Sequence, residues 1–343
     1  MDDSPTATRD MSSLEAQVQE LMVSNRGREA VDLVVAAASE DPTLAALAVA
    51  VRHRAAVASS PVRRPVSVVV PADDDPFPAP GIPEVPMEDL TASLLDAALT
   101  HRGSLLVRGF FSQADAAAVL ADVTRAFEAA TQSAAGAGTD VTAPWYVPFE
   151  AESGYTFGGL ERTFTRDIGG VLSVESPQAL ATVIANFKHI GFDRVLTEYF
   201  GETPMISAKK STLRRATPTS PTEWHQDGAF LGAKTRTVNA WVALTACGID
   251  APGIDVVPEP FDHIVETGTD QALFHWSVSP EQARRVASTV VTPRFEAGDA
   301  LLFNHLTLHR SAIRPTMTRD RYAVESWFFA PSSFPYEQIP ILF

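Results

Sequence analysis

Two side chains that can bind a transition metal stand two residues apart in the stretch EWHQDGAFL, residues 223–231. Imidazole and carboxylate groups are both common ligands of iron and related divalent metals. In an extended segment the side chains at positions i and i+2 lie on the same face, so His225 and Asp227 could reach one ion. A surface turn that contains both residues by chance is the competing interpretation, and this stretch alone does not decide between them.

A second group of histidines lies in the stretch DALLFNHLTLHRS, residues 299–311. Its alternation predicts a strand with Phe303, His305, Thr307 and His309 on one face and leucines on the other. Histidines that point into a barrel need partners, because an unpaired buried polar group costs roughly a few kcal/mol. Two histidines and one carboxylate with open coordination positions form the facial triad of non-haem Fe(II) sites. Because four strand residues span ~13 Å, these two histidines cannot both bind one ion.

Four stretches of the chain resemble the phytanoyl-CoA dioxygenase (PhyH) family of Fe(II)/2-oxoglutarate-dependent dioxygenases. The resemblance covers the C-terminal two-thirds of the chain. The stretches are WHQDG, for the His-x-Asp motif; NAWVAL with APGIDVVP, for the strand and turn that usually follow; GDALLFNHLTLHRS, for the distal-histidine strand; and RDRYAVESWFF, for the closing strand with its arginine. Together they are far more specific than the His-x-Asp pair alone.

The resemblance implies a metal site made of His225, Asp227 and His309. In the family the distal ligand stands two residues before a Ser or Thr and at a fixed distance after the Gly of a Gly-Asp pair. His309 meets both conditions, with Ser311 after it and Gly298 before it. His305 is then expected to be a neighbour of the pocket rather than a ligand.

The resemblance also implies a pocket for 2-oxoglutarate. A bidentate arginine is suited to the distal carboxylate of this cosubstrate, and the family pattern assigns that role to Arg321 on the closing strand. Arg319 is the alternative, but it stands in the turn TMTRD and is expected to face solvent. Trp241 and Ser311 are expected to line the pocket. Asn239 shares a strand face with Trp241 and is a weaker candidate.

The resemblance implies that the protein is an Fe(II)/2-oxoglutarate-dependent oxygenase. It would use O2 to hydroxylate a small molecule, such as a secondary metabolite, and release succinate and CO2. Desaturation, epimerisation or ring formation could arise at the same centre. A carboxylate at Asp227 argues against halogenation, because related halogenases have a small residue there to leave room for chloride. Two other classes stay open: an interaction protein on a degenerate barrel, and a metal-dependent barrel enzyme that uses no 2-oxoglutarate.

Composition narrows the partners and the compartment. The chain has 343 residues and a formal net charge of −15, which disfavours binding to nucleic acid or to anionic membranes. A single cysteine, Cys247, allows no disulfide within the chain. The N-terminus is acidic and polar, and no apolar run approaches the ~20 residues that span a bilayer. We therefore expect a cytoplasmic protein with a small-molecule substrate.

The order of the predicted elements indicates three parts: an N-terminal helical extension (1–58), a Pro-rich linker or strap (59–87) and the dioxygenase domain (88–343). Helices come before most of the strands in the third part. This favours an α+β fold in which helices cover a β sandwich or small barrel. The family resemblance implies that this β core is a double-stranded β-helix, jelly-roll or cupin-like. VSVVV, in the linker, could be an edge strand. The N-terminal helices have apolar faces and could form a homodimer.

Two further features are left open by the sequence. The basic residues Lys209, Arg214 and Arg215 precede the His-x-Asp motif by one strand, and we expect two of the three to face solvent rather than the pocket. The aromatic loop PWYVPFEAESGYTF, residues 144–157, could be a lid over the substrate or a packed surface loop.

Overall fold

The computed structural model describes residues 11–59, 75–77 and 79–343. Within these residues the protein has an α+β fold. The helices are α1 Met11–Val23, α2 Gly27–Glu40, α3 Ala45–Ala58, α4 Ala92–Arg102, α5 Gln113–Ala134, α6 Thr139–Thr142, α7 Gly159–Asp167, α8 Pro177–His189, α9 Phe192–Phe200, α10 Gly228–Leu231 and α11 Pro280–Val286. The strands are β1 Glu84–Pro86, β2 Ser104–Arg108, β3 Gly170–Leu172, β4 Met205–Ser207, β5 Thr212–Ala216, β6 Thr237–Ala243, β7 Gly253–Val256, β8 Ala300–Phe303, β9 His309–Ala312, β10 Arg321–Phe329 and β11 Pro340–Leu342.

The strands form a large sheet and a small one. The large sheet has nine strands in the order β1-β2-β8-β6-β10-β4-β11, with β5 paired to β10 and β3 paired to β5. Its strand pairs are antiparallel except for β1 and β2, which are parallel. The small sheet consists of β7 and β9, also antiparallel. This arrangement confirms the predicted α+β class.

The two faces of the large sheet have different neighbours, and β6 shows the division. Val238, Ala240 and Val242 belong to the apolar core that the sheet shares with helices α4, α5, α8 and α9. The alternate residues Asn239 and Trp241 point to the opposite face, as period-two alternation requires. Trp241 packs in a second core that also contains residues of β7. The face that carries Asn239 and Trp241 is therefore turned toward the small sheet.

The N-terminal helices α1, α2 and α3 pack against one another and on the rest of the chain. α3 carries the contacts: Arg52 donates a 2.8 Å hydrogen bond to the Leu342 carbonyl. The His53 Nδ1 atom lies 2.8 Å from the Pro340 carbonyl oxygen, so it donates, and Nε2 accepts from the Glu152 backbone N–H at 3.0 Å. Both ring nitrogens of a buried histidine are thus used to join the helices to the sheet domain.

The structure corrects several details of the predicted elements. The stretch that contains His305 and His309 is not one strand: β8 ends at Phe303, β9 begins at His309, and residues 304–308 form a turn between the two sheets. The region from 134 to 172, which contains the predicted aromatic loop 144–157, also contains α6, α7 and β3. VSVVV lies outside the described residues, and the end of the predicted linker is strand β1. None of the described helices has the length and hydropathy needed to cross a membrane.

Candidate functional site

His225 and His309 are joined by an isolated antiparallel bridge although they are far apart in the chain. Each residue donates its backbone N–H to the carbonyl oxygen of the other, at 3.0 Å in both directions. Their ring centroids lie 4.3 Å apart. A backbone ladder therefore places the two imidazoles side by side, without requiring any attraction between the rings.

The hydrogen bonds of both rings direct the same nitrogen toward the cavity. The Nδ1 atom of His225 lies 3.0 Å from the Glu223 carbonyl oxygen, and that of His309 lies 3.0 Å from the Thr307 carbonyl oxygen. A carbonyl only accepts, so Nδ1 carries the proton in each ring and Nε2 keeps a free lone pair. A second hydrogen bond that fixes the tautomer is the usual support of a metal-binding histidine.

Asp227 completes the cluster from the first residue of a turn. It has helical dihedral angles (φ −64°, ψ −17°) and precedes the single turn of α10. The i, i+2 spacing predicts a shared face only in an extended segment, and the backbone is not extended at this residue. Its side chain nevertheless converges with the histidines, because Asp227 Oδ2 lies 3.6 Å from His309 Nε2. One ligand atom from each of His225, Asp227 and His309 lies within 4.8 Å of the others.

The electrostatics of the cluster keep its members in the forms that bind metals. Burial, with the nearby His309 imidazole adding to it, lowers the pKa of His225 to about 3. Burial acts to raise the pKa of Asp227, but the Lys210 ammonium and the two histidines outweigh it and hold this pKa below the usual range. At neutral pH the aspartate is ionised and His225 is neutral, which are the protonation states of metal ligands.

His305 is buried and lies outside this cluster. Its Nδ1 atom lies 3.0 Å from the Thr237 hydroxyl, and its Nε2 atom lies 3.3 Å from the Ala233 carbonyl oxygen. Burial lowers the pKa of His305 to about 4, so the ring is neutral. Its own carbonyl accepts a 2.7 Å hydrogen bond from the Gly228 N–H, next to Asp227. His305 therefore supports the turn that carries the aspartate and does not line the cavity.

The cluster opens into a cavity between the two sheets, which encloses roughly 910 Å³ including the solvent at its mouth. All seven residues predicted for the site line this one cavity: His225, Asp227, Asn239, Trp241, His309, Ser311 and Arg321. Residues from distant parts of the sequence thus meet in one place.

Arg321 is a buried cation that has no carboxylate partner among the described residues. Its side chain is 1% exposed. It donates to the Gly253 carbonyl at 3.2 Å, and its guanidinium carbon lies 5.1 Å from the centre of the Trp241 ring. Its Nε atom has no hydrogen-bond partner within the described residues. Burial lowers the pKa of Arg321 to about 10, so the guanidinium stays charged at neutral pH. Because a buried charge is costly without a partner, this site favours the binding of an anion.

The other predicted residues of the pocket differ in what they offer. The side-chain Oδ1 of Asn239 is buried and has no hydrogen-bond partner in the part of the chain that the structure describes. Ser311 pairs with Ile254 across the small sheet and lines the cavity. Trp241 packs against Phe295, with ring centroids 4.9 Å apart, and forms an apolar wall beside Arg321. Asn239 is thus better placed than the sequence suggests.

Of the three basic residues that precede the His-x-Asp motif, two lie outside the cavity, as expected. Lys209 pairs with Glu161 at 2.8 Å, and Arg215 is half exposed and pairs with Asp320 at 2.7 Å. Arg214, by contrast, lines the cavity. Arg319, the alternative to Arg321, is exposed and pairs with Asp250.

In the loop 144–157, Phe149 is buried, and Tyr146, Tyr155 and Phe157 pack on the core; none of these residues lines the cavity.

Three residues beside the cluster are missing from the sequence-based prediction of the site. Lys210 Nζ lies 2.7 Å from Asp227 Oδ1. Gln226, fully buried, accepts from the Val265 N–H and donates to the His263 carbonyl, which fixes the turn between the two ligands. Trp276 meets His225 edge-on at 5.7 Å. Only Gln226, between the two ligands, had a positional signal; the other two are brought in by the fold.

A mixed α+β fold with two sheets around a cavity that holds a His–Asp–His cluster defines a class of metal-dependent enzyme. Within that class the chain belongs to the phytanoyl-CoA dioxygenase (PhyH) family, whose model matches residues 99–316. The match contains the cluster, Trp241 and Ser311, and it ends before Arg321. Membership places the protein among the oxidoreductases that use iron and 2-oxoglutarate. No functionally curated protein matches the sequence.

The solved structures that match the chain are distant from it in sequence and have TM-scores below 0.5. EctD from S. alaskensis in its apoform is 18% identical, over 81% of this chain and 86% of that chain, with a TM-score of 0.48. The non-heme alpha ketoglutarate dependent epimerase SnoN from nogalamycin biosynthesis is 16% identical, over 69% and 82% of the two chains, with a TM-score of 0.43. The carbocyclase SnoK from the same biosynthesis is 15% identical, over 71% and 85%, with a TM-score of 0.43. Likeness at this level bears on neither the reaction nor the substrate.

Proposed function

We propose that this protein is an Fe(II)- and 2-oxoglutarate-dependent oxygenase that hydroxylates a small molecule and releases succinate and CO2. The observation that carries the proposal is a single cavity with two complementary sites. One is the cluster of His225, Asp227 and His309, and the other is the unpaired guanidinium of Arg321. The first suits a divalent metal and the second suits a carboxylate.

The residues present fit iron. Two imidazoles and one ionised carboxylate form the ligand set of the facial triad, which leaves coordination positions open. His225, Asp227 and His309 would hold the ion. The hydrogen bonds from Nδ1 to the carbonyl groups of Glu223 and Thr307 would keep both rings oriented. A carboxylate in this set also argues against halogenation.

The residues present also fit 2-oxoglutarate. Arg321 would bind its distal carboxylate, and the buried Nε atom without a partner is the evidence for that role. Trp241 would cover the apolar carbon chain, and Ser311 and Asn239 would offer polar contacts. When bound, iron and 2-oxoglutarate supply the oxidation by O2 that converts a substrate C–H bond to C–OH while 2-oxoglutarate becomes succinate and CO2. The protein orients the two reactants and excludes water.

We infer, further, that the large and small sheets are the two halves of a double-stranded β-helix, the jelly-roll or cupin-like fold. The support is the position of the cavity. It lies between the inner face of β6 and β10 and the strands β7 and β9, as in a barrel with the site in its mouth. His309 begins β9, so the ligand stands on a paired strand.

The test is to add Fe(II) and 2-oxoglutarate to the purified protein, first without oxygen and then with air. We expect a metal-to-ligand absorption band in the anaerobic mixture and slow succinate release under air without any added substrate. A band without succinate release would contradict the proposed oxidative chemistry. A protein that binds Fe(II) but shows no change with 2-oxoglutarate would belong to a different class of metal enzyme, and one that binds neither would be an interaction protein.

A further inference from the structure

An aromatic wall stands on one side of the cavity, next to the candidate metal centre. It consists of the Trp276 ring and three aromatic rings around it, those of Phe164, Phe230 and Phe274. Phe274 is stacked on Trp276 with a centroid distance of 4.8 Å and an interplanar angle of 5°, and Phe230 is 5.1 Å from Trp276. Phe164 meets Trp276 edge-on at 6.4 Å. The wall ends at His225, which Trp276 touches.

The aromatic wall is not part of the buried cores. None of its four rings is fully buried, and Phe164 is 44% exposed. The rings come from three separate places in the chain: α7, α10 and the loop before Val278, which pairs with Trp224 through an isolated bridge. A fold that gathers four accessible aromatic rings beside a metal centre offers a flat apolar surface to a bound molecule.

Arg214 stands on the inner face of β5, in the same cavity. In the register of β5 with β10 it lies opposite Ala323, so it shares a face with Arg321 and Glu325. Its side chain is 15% exposed, and its Nε atom is buried without a hydrogen-bond partner among the described residues. Arg214 forms a long ion pair with Glu325, whose carboxylate oxygen lies 3.9 Å from Nε, beyond hydrogen-bond distance.

The other cations of the cavity are already engaged or assigned. Lys210 pairs with Asp227 at 2.7 Å, and Arg310 pairs with Asp255 at 2.9 Å. Arg321 is assigned to 2-oxoglutarate in the proposed function. Arg214 differs from Lys210 and Arg310 in that its ion pair with Glu325 is too long for a hydrogen bond, which leaves its guanidinium able to recognise a second anion.

We propose, on the basis of the proposed function, that the substrate is a ring-bearing organic acid. Its ring rests on the aromatic wall and its anionic group binds Arg214. Because the wall ends at His225, a ring held there lies next to the metal centre, and the contact with Arg214 selects which C–H bond faces it.

The test compares three probes that share one ring and differ in charge: indole-3-acetate, the neutral indole-3-acetamide and the cationic tryptamine. Each is titrated into full-length protein loaded with Zn(II) and N-oxalylglycine, so that Arg321 is already occupied, and binding is followed by saturation-transfer NMR. A charge-assisted contact is worth about tenfold or more in affinity, so indole-3-acetate is expected to bind at least that much more tightly than the amide.

Four variants locate the contacts. Arg214→Gln is expected to remove the preference for indole-3-acetate and to leave the affinity for the amide unchanged, which also shows that the cavity is intact. Arg214→Lys keeps the charge and is expected to keep part of the preference. Arg215→Gln, next in the chain but paired with Asp320 outside the cavity, is the matched control and keeps all of it. Trp276→Leu is expected to weaken acetate and amide alike.

The proposal is overturned if wild-type protein binds the acetate and the amide equally, or if tryptamine binds most tightly. It is also overturned if Arg214→Gln keeps the preference, or if that variant instead loses affinity for N-oxalylglycine, which would assign Arg214 to the cosubstrate. The probes are scored by binding and not by turnover. The succinate assay therefore tests the proposed function, and these binding titrations test the substrate class separately.

Discussion

Lys210 and Asp227 form an ion pair inside the candidate metal centre. Lys210 Nζ lies 2.7 Å from Asp227 Oδ1, while Asp227 Oδ2 faces His309 Nε2 at 3.6 Å. The lysine also lies over the Phe230 ring, 4.0 Å from its centre, which limits where the ammonium can go. One carboxylate oxygen is therefore held by a cation of the protein, and the other is on the side of the histidines, where an ion would bind.

Lys210→Met is expected to destabilise the metal-free protein more than the metal-loaded protein. Without the lysine, a buried carboxylate has lost its cation, at a cost of about 1–3 kcal/mol, and a divalent metal would supply that charge instead. The rise in melting temperature on adding Zn(II) should thus be larger in Lys210→Met than in wild type. Lys209→Met, which breaks a pair with Glu161 instead, should show the wild-type rise. A smaller rise in Lys210→Met would mean that the lysine mainly orients the carboxylate for the metal.

The two C-terminal histidines should differ sharply in their effect on bound iron. His309→Ala, like His225→Ala and Asp227→Ala, removes a member of the cluster and is expected to abolish activity and stoichiometric Fe(II) binding. His305→Ala is expected to keep the iron, because this ring bonds Thr237 and Ala233 and contributes no atom to the cluster. Iron is measured in protein loaded and desalted without oxygen. Retention in His309→Ala together with loss in His305→Ala would reverse the assignment.

Arg321→Ala should weaken 2-oxoglutarate binding far more than metal binding. A charge-assisted contact to a carboxylate is worth roughly 1.5–3 kcal/mol, or about 10- to 150-fold in affinity. The midpoint is read from the absorption band that 2-oxoglutarate gives with Fe(II) under anaerobic conditions. Arg319→Ala, an exposed residue paired with Asp250, is the control and should leave the midpoint unchanged. If Arg319→Ala shifts the midpoint and Arg321→Ala does not, the wrong arginine is assigned.

The division of β6 and β10 into two faces could be predicted because burial on a sheet follows the alternation of the sequence. Asn239 and Trp241 point into the cavity, and Val238, Ala240 and Val242 pack under helices, as a period of two requires. The same rule was wrong for residues 304–308. Their alternation of polar and apolar residues continues through a turn, because a buried turn between two sheets also has an inner and an outer side.

Lys210 and Trp276 could not be predicted as members of the site. Lys210 stands in a pair of lysines before β5, a pattern typical of a solvated turn, and only tertiary packing brings its ammonium to Asp227. Trp276 belongs to a loop with neither helical nor strand periodicity. It reaches His225 because Val278 pairs with Trp224. Contacts that depend on the path of a loop leave no periodic signal in the sequence.

The N-terminal helices are expected to stabilise the protein without taking part in the chemical step. No residue of α1, α2 or α3 lines the cavity, yet α3 is joined to the sheet domain through His53. His53→Ala leaves the Pro340 carbonyl and the Glu152 N–H without partners and should cost about 1–3 kcal/mol of unfolding free energy. Arg28→Ala, at an exposed position of α2, is the control and should change little.

A truncated chain that begins at Val62 extends this prediction. Removing the helices uncovers apolar residues of the cores that they cover, and at ~25 cal/mol per Å² even a few hundred Å² corresponds to several kcal/mol. The truncated chain should bind Fe(II) and 2-oxoglutarate but aggregate or change its oligomeric state, which light scattering measures alongside succinate release. A soluble truncated protein with an unchanged mass would contradict the role in assembly. A soluble, iron-loaded protein without succinate release would instead mean that the helices shape the active site from behind the sheet.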